Sequence, residues 1–319
     1  MLKFISRKFT IQCLILFGLA VLAIYNIITK TQLSDPDGSA FLFSSFYNLF
    51  SQNQWVGKGM VFIILLAQIF LLQYYFRKNE YTTKKSLLPA CFYLSILLLT
   101  KSLITISPFF FTLLFFLIII STNYTGNAIV LKNNTFFVGM VIALATCFDM
   151  SSIVLLVLAI ITLILNHFSI IKEICILMFG FILVYFYFFS FHFFMNSSDD
   201  WFSTVLQIKI LGILDGAILT RTSTLIALFI LSLLYLYFIV RTRIINDSKI
   251  VIQRKRIITL NTRAFLMIAC LFISNSTYPN VLGYLFIHLS VYLSILSYEK
   301  NPLYINDFIT VVTFVVLCL

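Results

Sequence analysis

Charge is the scarcest property of this chain. Lys, Arg, Asp and Glu make up 10% of its 319 residues, while 61% are hydrophobic and the mean hydropathy is +1.05. A soluble domain carries charge on roughly a quarter of its residues, which excludes a soluble globular fold. The apolar runs extend for about 15–20 residues without an ionisable group, the length that crosses a bilayer as a helix. Histidine is almost as rare, with three scattered residues, His167, His192 and His288. The six cysteines (Cys13, Cys91, Cys147, Cys175, Cys270 and Cys318) form no CxxC pair and no metal-ligand spacing. That excludes a disulfide framework and a zinc site; in apolar stretches these thiols behave as small hydrophobes. HExxH, GxSxG, P-loop and GxGxxG patterns are all missing. So are a Gly/Ser linker and any internal repeat, and residues 1–319 read as one integral membrane domain.

What charge there is leans positive, with 22 Lys+Arg against 11 Asp+Glu and a net charge of +11. No basic stripe interleaves with stacking aromatics outside the apolar runs, so nucleic acid is not an expected partner. The cations instead set topology, because cytoplasmic loops of membrane proteins collect Lys and Arg. Lys3, Arg7 and Lys8 place the N-terminus in the cytosol. The run Phe9–Thr29 is too long for a signal peptide and ends in no small-residue cleavage site, so it is an uncleaved first span. Residues 30–58 form an outer loop and a second span covers 59–76. Arg77, Lys78, Lys84 and Lys85 then mark an inner loop.

Residues 86–120 divide into two short helices, 86–100 and 103–120, with Lys101 at the outer turn and Pro108 bending the second near its start. Residues 121–135 return inside with Lys132. Residues 136–166 form either one tilted helix of about 31 residues, roughly 46 Å long, or a hairpin that turns near Asp149-Met150-Ser151-Ser152. Parity supports the hairpin. Residues 241–263 hold seven cations and one acid, Asp247, and a single crossing at 136–166 would put them outside. Spans at 174–195, 222–240, 264–275, 280–297 and 303–319 complete the chain. The expected fold is all-α, a polytopic transmembrane bundle of about eleven spans, several short and paired. Its outer side holds only five cations, Lys30, Lys58, Lys101, Lys209 and Arg221.

Few polar groups are placed where chemistry needs them. Asp35 and Asp37 lie in Ser34-Asp35-Pro36-Asp37-Gly38, just before residues 39–51. There Phe41, Leu42, Phe43, Phe46, Leu49 and Phe50 alternate with Ser44, Ser45, Asn48 and Ser51. That alternation suits an amphipathic helix lying in the interface, with the carboxylates near its N-terminus, where the helix dipole favours them. Alternatively, Asp-Pro-Asp-Gly is a turn and cap. Asp149 is a carboxylate inside a long apolar stretch, which marks either function or the cap of the hairpin turn. Lys101 and Arg221 adjoin spans on the outer side and would meet a phosphate or snorkel to the interface. Asp199-Asp200-Trp201 offers clustered oxygens for a divalent cation, or a solvated loop that Trp201 anchors. His288, at membrane depth, reads as a hydrogen-bonded packing residue.

Residues 87–196 resemble an uncharacterised family of Bacteroidota polytopic membrane proteins. The resemblance rests on Ser86-Leu87-Leu88-Pro89-Ala90, on Phe137-Val138-Gly139 leading to Asp149, and on a helix containing Gly180. It implies the cytoplasmic (inner) membrane of a bacterium. More broadly, the layout is similar to the GT-C superfamily of membrane glycosyltransferases, with helix 1, an acidic outer loop with interfacial helices, then paired short spans. That similarity implies sugar transfer from a polyprenyl-phosphate carrier on the outer face. It makes Asp35 or Asp37 the base or metal ligand, Asp149 a second polar wall, and Lys101 and Arg221 neighbours of the carrier phosphate. The superfamily's Asp-Glu pair has no clear counterpart here.

Three functions follow as expectations. The first is a lipid-linked glycosyltransferase of cell-envelope glycan assembly. The second is a non-catalytic subunit or scaffold of an envelope complex, with a partner protein at the basic inner loop. The third is a transporter or lipid flippase with a polar path. Membrane lipids are partners in all three.

Overall fold

Apolar helices with exposed faces wall the molecule and buried ones fill it. The computed structural model describes residues 9–30, 42, 50, 52–82, 86–99, 107–122, 128–166, 170–194, 232–242, 251–271 and 278–298. The helices are α1 (Phe9–Lys30), α2 (Gln54–Lys78), α3 (Leu88–Leu99), α4 (Pro108–Thr122), α5 (Ala128–Phe148), α6 (Val154–Asn166), α7 (Ile170–Phe194), α8 (Ser232–Thr242), α9 (Val251–Leu271) and α10 (Tyr278–Ser297). A 3-10 turn at Met150–Ile153 joins α5 to α6. Every described element is helical, as bilayer-depth backbone demands when no water satisfies its polar groups.

Three helices, α1, α2 and α7, are long and apolar enough to cross a membrane, and α3, α4 and α6 are shorter apolar pieces. Their environments differ accordingly. On α7 the side chains of Ile171, Phe179, Ile182, Phe186, Phe191 and Phe194 stand exposed. Such a surface is a liability in water and a satisfied one in lipid. In contrast, α3 is buried on nearly all sides, and every residue of α10 from Gly283 to Ser297 is buried. The central helix α10 packs against α3, α4 and α9.

Local chemistry sets the helix ends. Asn53 caps α2, its side-chain oxygen accepting from the Trp55 amide at 3.2 Å. Arg77 and Lys78 occupy the last turn, where cations meet the negative end of the dipole. Glu80 then adopts φ 48 and its amide closes on the Arg77 carbonyl, terminating the helix. Pro108 does not bend a helix already under way. It starts α4, where its missing N–H costs nothing.

The hairpin near residue 150 is present. Helices α5 and α7 run parallel, for Thr135 bonds Glu173, Thr146 bonds Tyr185, and Phe136 meets Phe179. With α6 between them in sequence, the chain must travel back along the bundle after Asp149. Gly139 and Gly180 make that pairing possible. A Cβ on Gly139 would collide with the Leu177 carbonyl, and one on Gly180 with that of Phe136. Small residues allow this backbone approach, as in other membrane helix pairs.

Two boundaries differ from expectation. The segment 121–135 is not a plain inner loop, since α5 begins at Ala128 and takes Lys132 into its first turns. Nor are residues 241–263 a loop throughout. Helix α8 runs to Thr242 and α9 begins at Val251, carrying Arg254, Arg256 and Arg263 on helical backbone. Arg, Lys and Gln are good helix formers, and long basic side chains reach polar surroundings from a helix as readily as from a loop. Most of the interfacial segment 39–51, and the span expected at 303–319, lie outside the described residues.

Candidate functional site

The polar groups of the interior gather along α10. At one end stands the Asp149 turn. Its backbone N–H closes α5 on the Ala145 carbonyl at 2.9 Å, and its own carbonyl accepts from the Ser152 amide at 3.0 Å. Ser152 is fully buried, with its hydroxyl 3.2 Å from that of Tyr284 on α10. The Thr112 hydroxyl of α4 also bonds Tyr284, and the half-buried Asp149 carboxylate acts on that phenol electrostatically. Two helices and the turn thus meet on one hydroxyl.

One turn along α10 comes His288, 1% exposed, whose Nδ1 lies 2.9 Å from the Tyr284 carbonyl. A carbonyl only accepts, so Nδ1 carries the proton. The other ring nitrogen, Nε2, is buried with no hydrogen-bond partner. The Phe116 ring packs beside the imidazole, with centroids 5.6 Å apart. Arg263 of α9 faces the same region, 6% exposed, and its charge acts on the imidazole. Its Nε donates to Thr162 of α6 at 3.5 Å. Among the described residues no carboxylate pairs with it, the one ion pair there being Arg256–Glu80.

Another turn along, Tyr292 donates to Asn261 at 2.8 Å, and Thr242 donates to the same oxygen at 3.2 Å. The Tyr235 hydroxyl bonds the Leu285 carbonyl. Tyr75 and Tyr81 share a hydrogen bond of 2.8 Å. Tyr81 follows the end of α2, and burial first, then the neighbouring Tyr75 hydroxyl, pushes its phenol well above the ordinary range. The far end is closed by Arg256 and Glu80 at 3.3 Å, and by Gln12, which donates to Tyr298 at 3.1 Å and accepts from the Leu87 amide at 2.8 Å. From Tyr284 to Tyr298 this column rises about 21 Å at 1.5 Å per residue.

Two further networks stand apart from the column. Gln68 of α2 accepts from Tyr93 of α3 at 2.8 Å and donates to the Phe110 carbonyl of α4 at 2.9 Å. Glu173, buried in the first turn of α7, accepts from Thr135 at 2.8 Å. Its carboxylate is also favoured there by the positive end of the helix dipole.

Of the residues expected to carry function, Asp149 stands at the mouth of this column. Asp35, Asp37, Lys101 and Arg221 lie outside the described residues, as do Asp199, Asp200 and Trp201. Among the described residues no three His, Cys, Asp or Glu side chains converge as metal ligands do. His288 is a packing histidine on its Nδ1 side only. Arg263 was hidden in the basic-segment count. The available signal was its isolation, seven residues beyond Arg256 and directly before the apolar stretch Ala264–Leu271. Gln68, Asn261 and Glu173 gave less signal, since one polar residue in an apolar helix does not announce its partner. The chain matches no protein-family model, no curated protein and no solved structure.

Proposed function

We propose that this chain is a multi-pass protein of the bacterial cytoplasmic membrane that transfers a sugar from a polyprenyl-phosphate carrier at the outer face. The Asp149 turn carries the reading: a half-buried carboxylate at a helix break, beside the Ser152, Thr112 and Tyr284 hydroxyls. A carboxylate so placed accepts the proton of an acceptor hydroxyl as it attacks. Asp35 or Asp37 serves as base or metal ligand, and Lys101 and Arg221 stabilise the departing carrier phosphate. A divalent cation is the cofactor this carboxylate set would take.

The orientation proposed is supported by which ends the contacts bring together. Lys78 bonds the Ser121 carbonyl, Arg256 pairs with Glu80, and Gln12 bonds Tyr298, so the cation-rich ends share one side. Lys58 bonds the Ile28 carbonyl at the other end of α1 and α2. The positive-inside rule assigns the cation-rich end, with the N-terminus, to the cytosol. Asp149 then faces outward.

The test is a glycan profile of cells carrying Asp35→Asn, Asp37→Asn or Asp149→Asn at unchanged membrane abundance. Loss of an envelope glycan in the Asp149 variant and in one of the other two is expected. Normal glycan in all three would remove the reading.

A second reading, a transporter or flippase, draws on the polar column, since intramembrane polar chains line substrate and ion paths. In proteoliposomes it requires movement of a lipid or solute that Arg263→Gln slows. Membranes that stay tight and asymmetric would dispose of it.

A further inference from the structure

We propose that Arg263, Thr162 and His288 form a site, inside the bundle, for a singly protonated phosphomonoester or free phosphate. The inference stands independently of glycosyl transfer and of Asp149. A guanidinium never deprotonates in a protein, and burying it without a counter-charge costs several kcal/mol. Arg263 is buried, its one hydrogen bond among the described residues uses Nε alone, and no described carboxylate pairs with it. The remaining donors form the planar fork that matches two oxygens of an oxyanion.

His288 narrows the class of anion. With Nδ1 donating to the Tyr284 carbonyl, the neutral ring presents Nε2 as a lone pair, buried and without a donor. A carboxylate, a halide or sulfate brings acceptors only and would leave that lone pair unmet. A phosphate that keeps one proton supplies both halves, two oxygens to Arg263 and a P–OH to Nε2. Thr162 holds the guanidinium on the α6 side, and Phe116 walls the imidazole. The Asn261–Tyr292 hydrogen bond ties α9 to α10 two residues from Arg263 and four from His288.

The experiment uses the full chain, purified in detergent, with thermal unfolding followed against inorganic phosphate, sulfate and chloride. A second arm uses nanodiscs containing phosphatidic acid, a phosphomonoester, or phosphatidylglycerol, a diester without P–OH. Phosphate should stabilise the wild type at about tenfold lower concentration than sulfate, the cost of one buried hydrogen bond left unmade. A lipid source gives stabilisation by phosphatidic acid over phosphatidylglycerol, and a soluble source gives it with inorganic phosphate. His288→Gln, which keeps an acceptor, should retain the preference for phosphate, and His288→Phe should lose it while still binding both anions. Arg263→Lys should weaken both anions. Equal response to phosphate and sulfate, no response to either phosphate source, or an unaltered preference in His288→Phe would each overturn the proposal. Should the Phe variant fail to fold, the phosphate-to-sulfate ratio of the wild type still decides.

Discussion

Gly139 meets Leu177 backbone to backbone, with no room for even a methyl group between α5 and the Leu177 carbonyl. The contact recurs where Gly180 meets Phe136, so two glycines on two parallel helices each admit the other's main chain. Gly139→Ala or Gly180→Ala should therefore destabilise by about 1–3 kcal/mol, the usual penalty of overpacking. Gly18, on α1, has open space around it, and Gly18→Ala should be neutral or stabilising by roughly 0.5–1 kcal/mol through helix propensity. Unfolding in detergent compares the three, and equal behaviour would contradict the close approach.

The Gln68–Tyr93 bond offers a cleaner energy measurement. Gln68→Leu alone strands the Tyr93 hydroxyl and should cost about 1–3 kcal/mol. Tyr93→Phe added to it should restore part of the loss, because the stranded hydroxyl is then gone and only the Phe110 carbonyl still lacks the donor it had. A double-mutant cycle with no coupling would show that the two groups do not share a bond.

Glu173 and Thr135 make a similar but charged case. Thr135→Val should destabilise by about 1–3 kcal/mol, because a buried acceptor loses its donor. Thr135→Ser should hold near wild type. Unchanged unfolding in the Val variant would mean that water or lipid headgroups already reach this carboxylate.

Tyr81 gives a pH dependence of definite sign. Burial raises its pKa in the folded state, whereas an unfolded phenol titrates at about 10. The folded chain therefore holds a proton that the unfolded chain releases, and stability falls as pH rises past about 10. Tyr81→Phe should flatten that decline, measured as the difference in unfolding temperature between pH 9 and pH 11. Parallel curves for the two proteins would place the Tyr81 hydroxyl in water.

Labelling tests the proposed orientation. In a background free of native cysteines, Asp149→Cys should react with an impermeant thiol reagent in intact cells. Arg254→Cys, on the exposed start of α9, should react only after the membrane is opened. The reverse pattern would invert the molecule and detach Asp149 from any outer-face chemistry.

How much of this was legible depended on whether the signal was local. Helix α1 was bounded within a residue, because an apolar run between charged ends has few alternatives. The break at Asp149 was legible because a carboxylate inside an apolar run is costly at any other place. The start of α9 was not, since Arg254 and Arg256 are equally at home on a loop or a helix. Arg263 counted as one more inner cation, and only α6 and α10 reveal that it is enclosed. Gly139 and Gly180 stand in the motifs that carry the family resemblance, but nothing in their spacing says that they belong to neighbouring, parallel helices.

The contrast between rim and interior has an electrical consequence. Helices α1, α2 and α7 have 22, 25 and 25 residues, or about 33–38 Å. Helices α3, α4 and α6 have 12, 15 and 13, or about 18–23 Å. The central α10 has 20 residues, or about 30 Å, so in an energised membrane the polar groups along it stand within the voltage drop. A charge moving past Arg263 would cross part of that drop, with the full 100 mV worth about 2.3 kcal/mol per elementary charge.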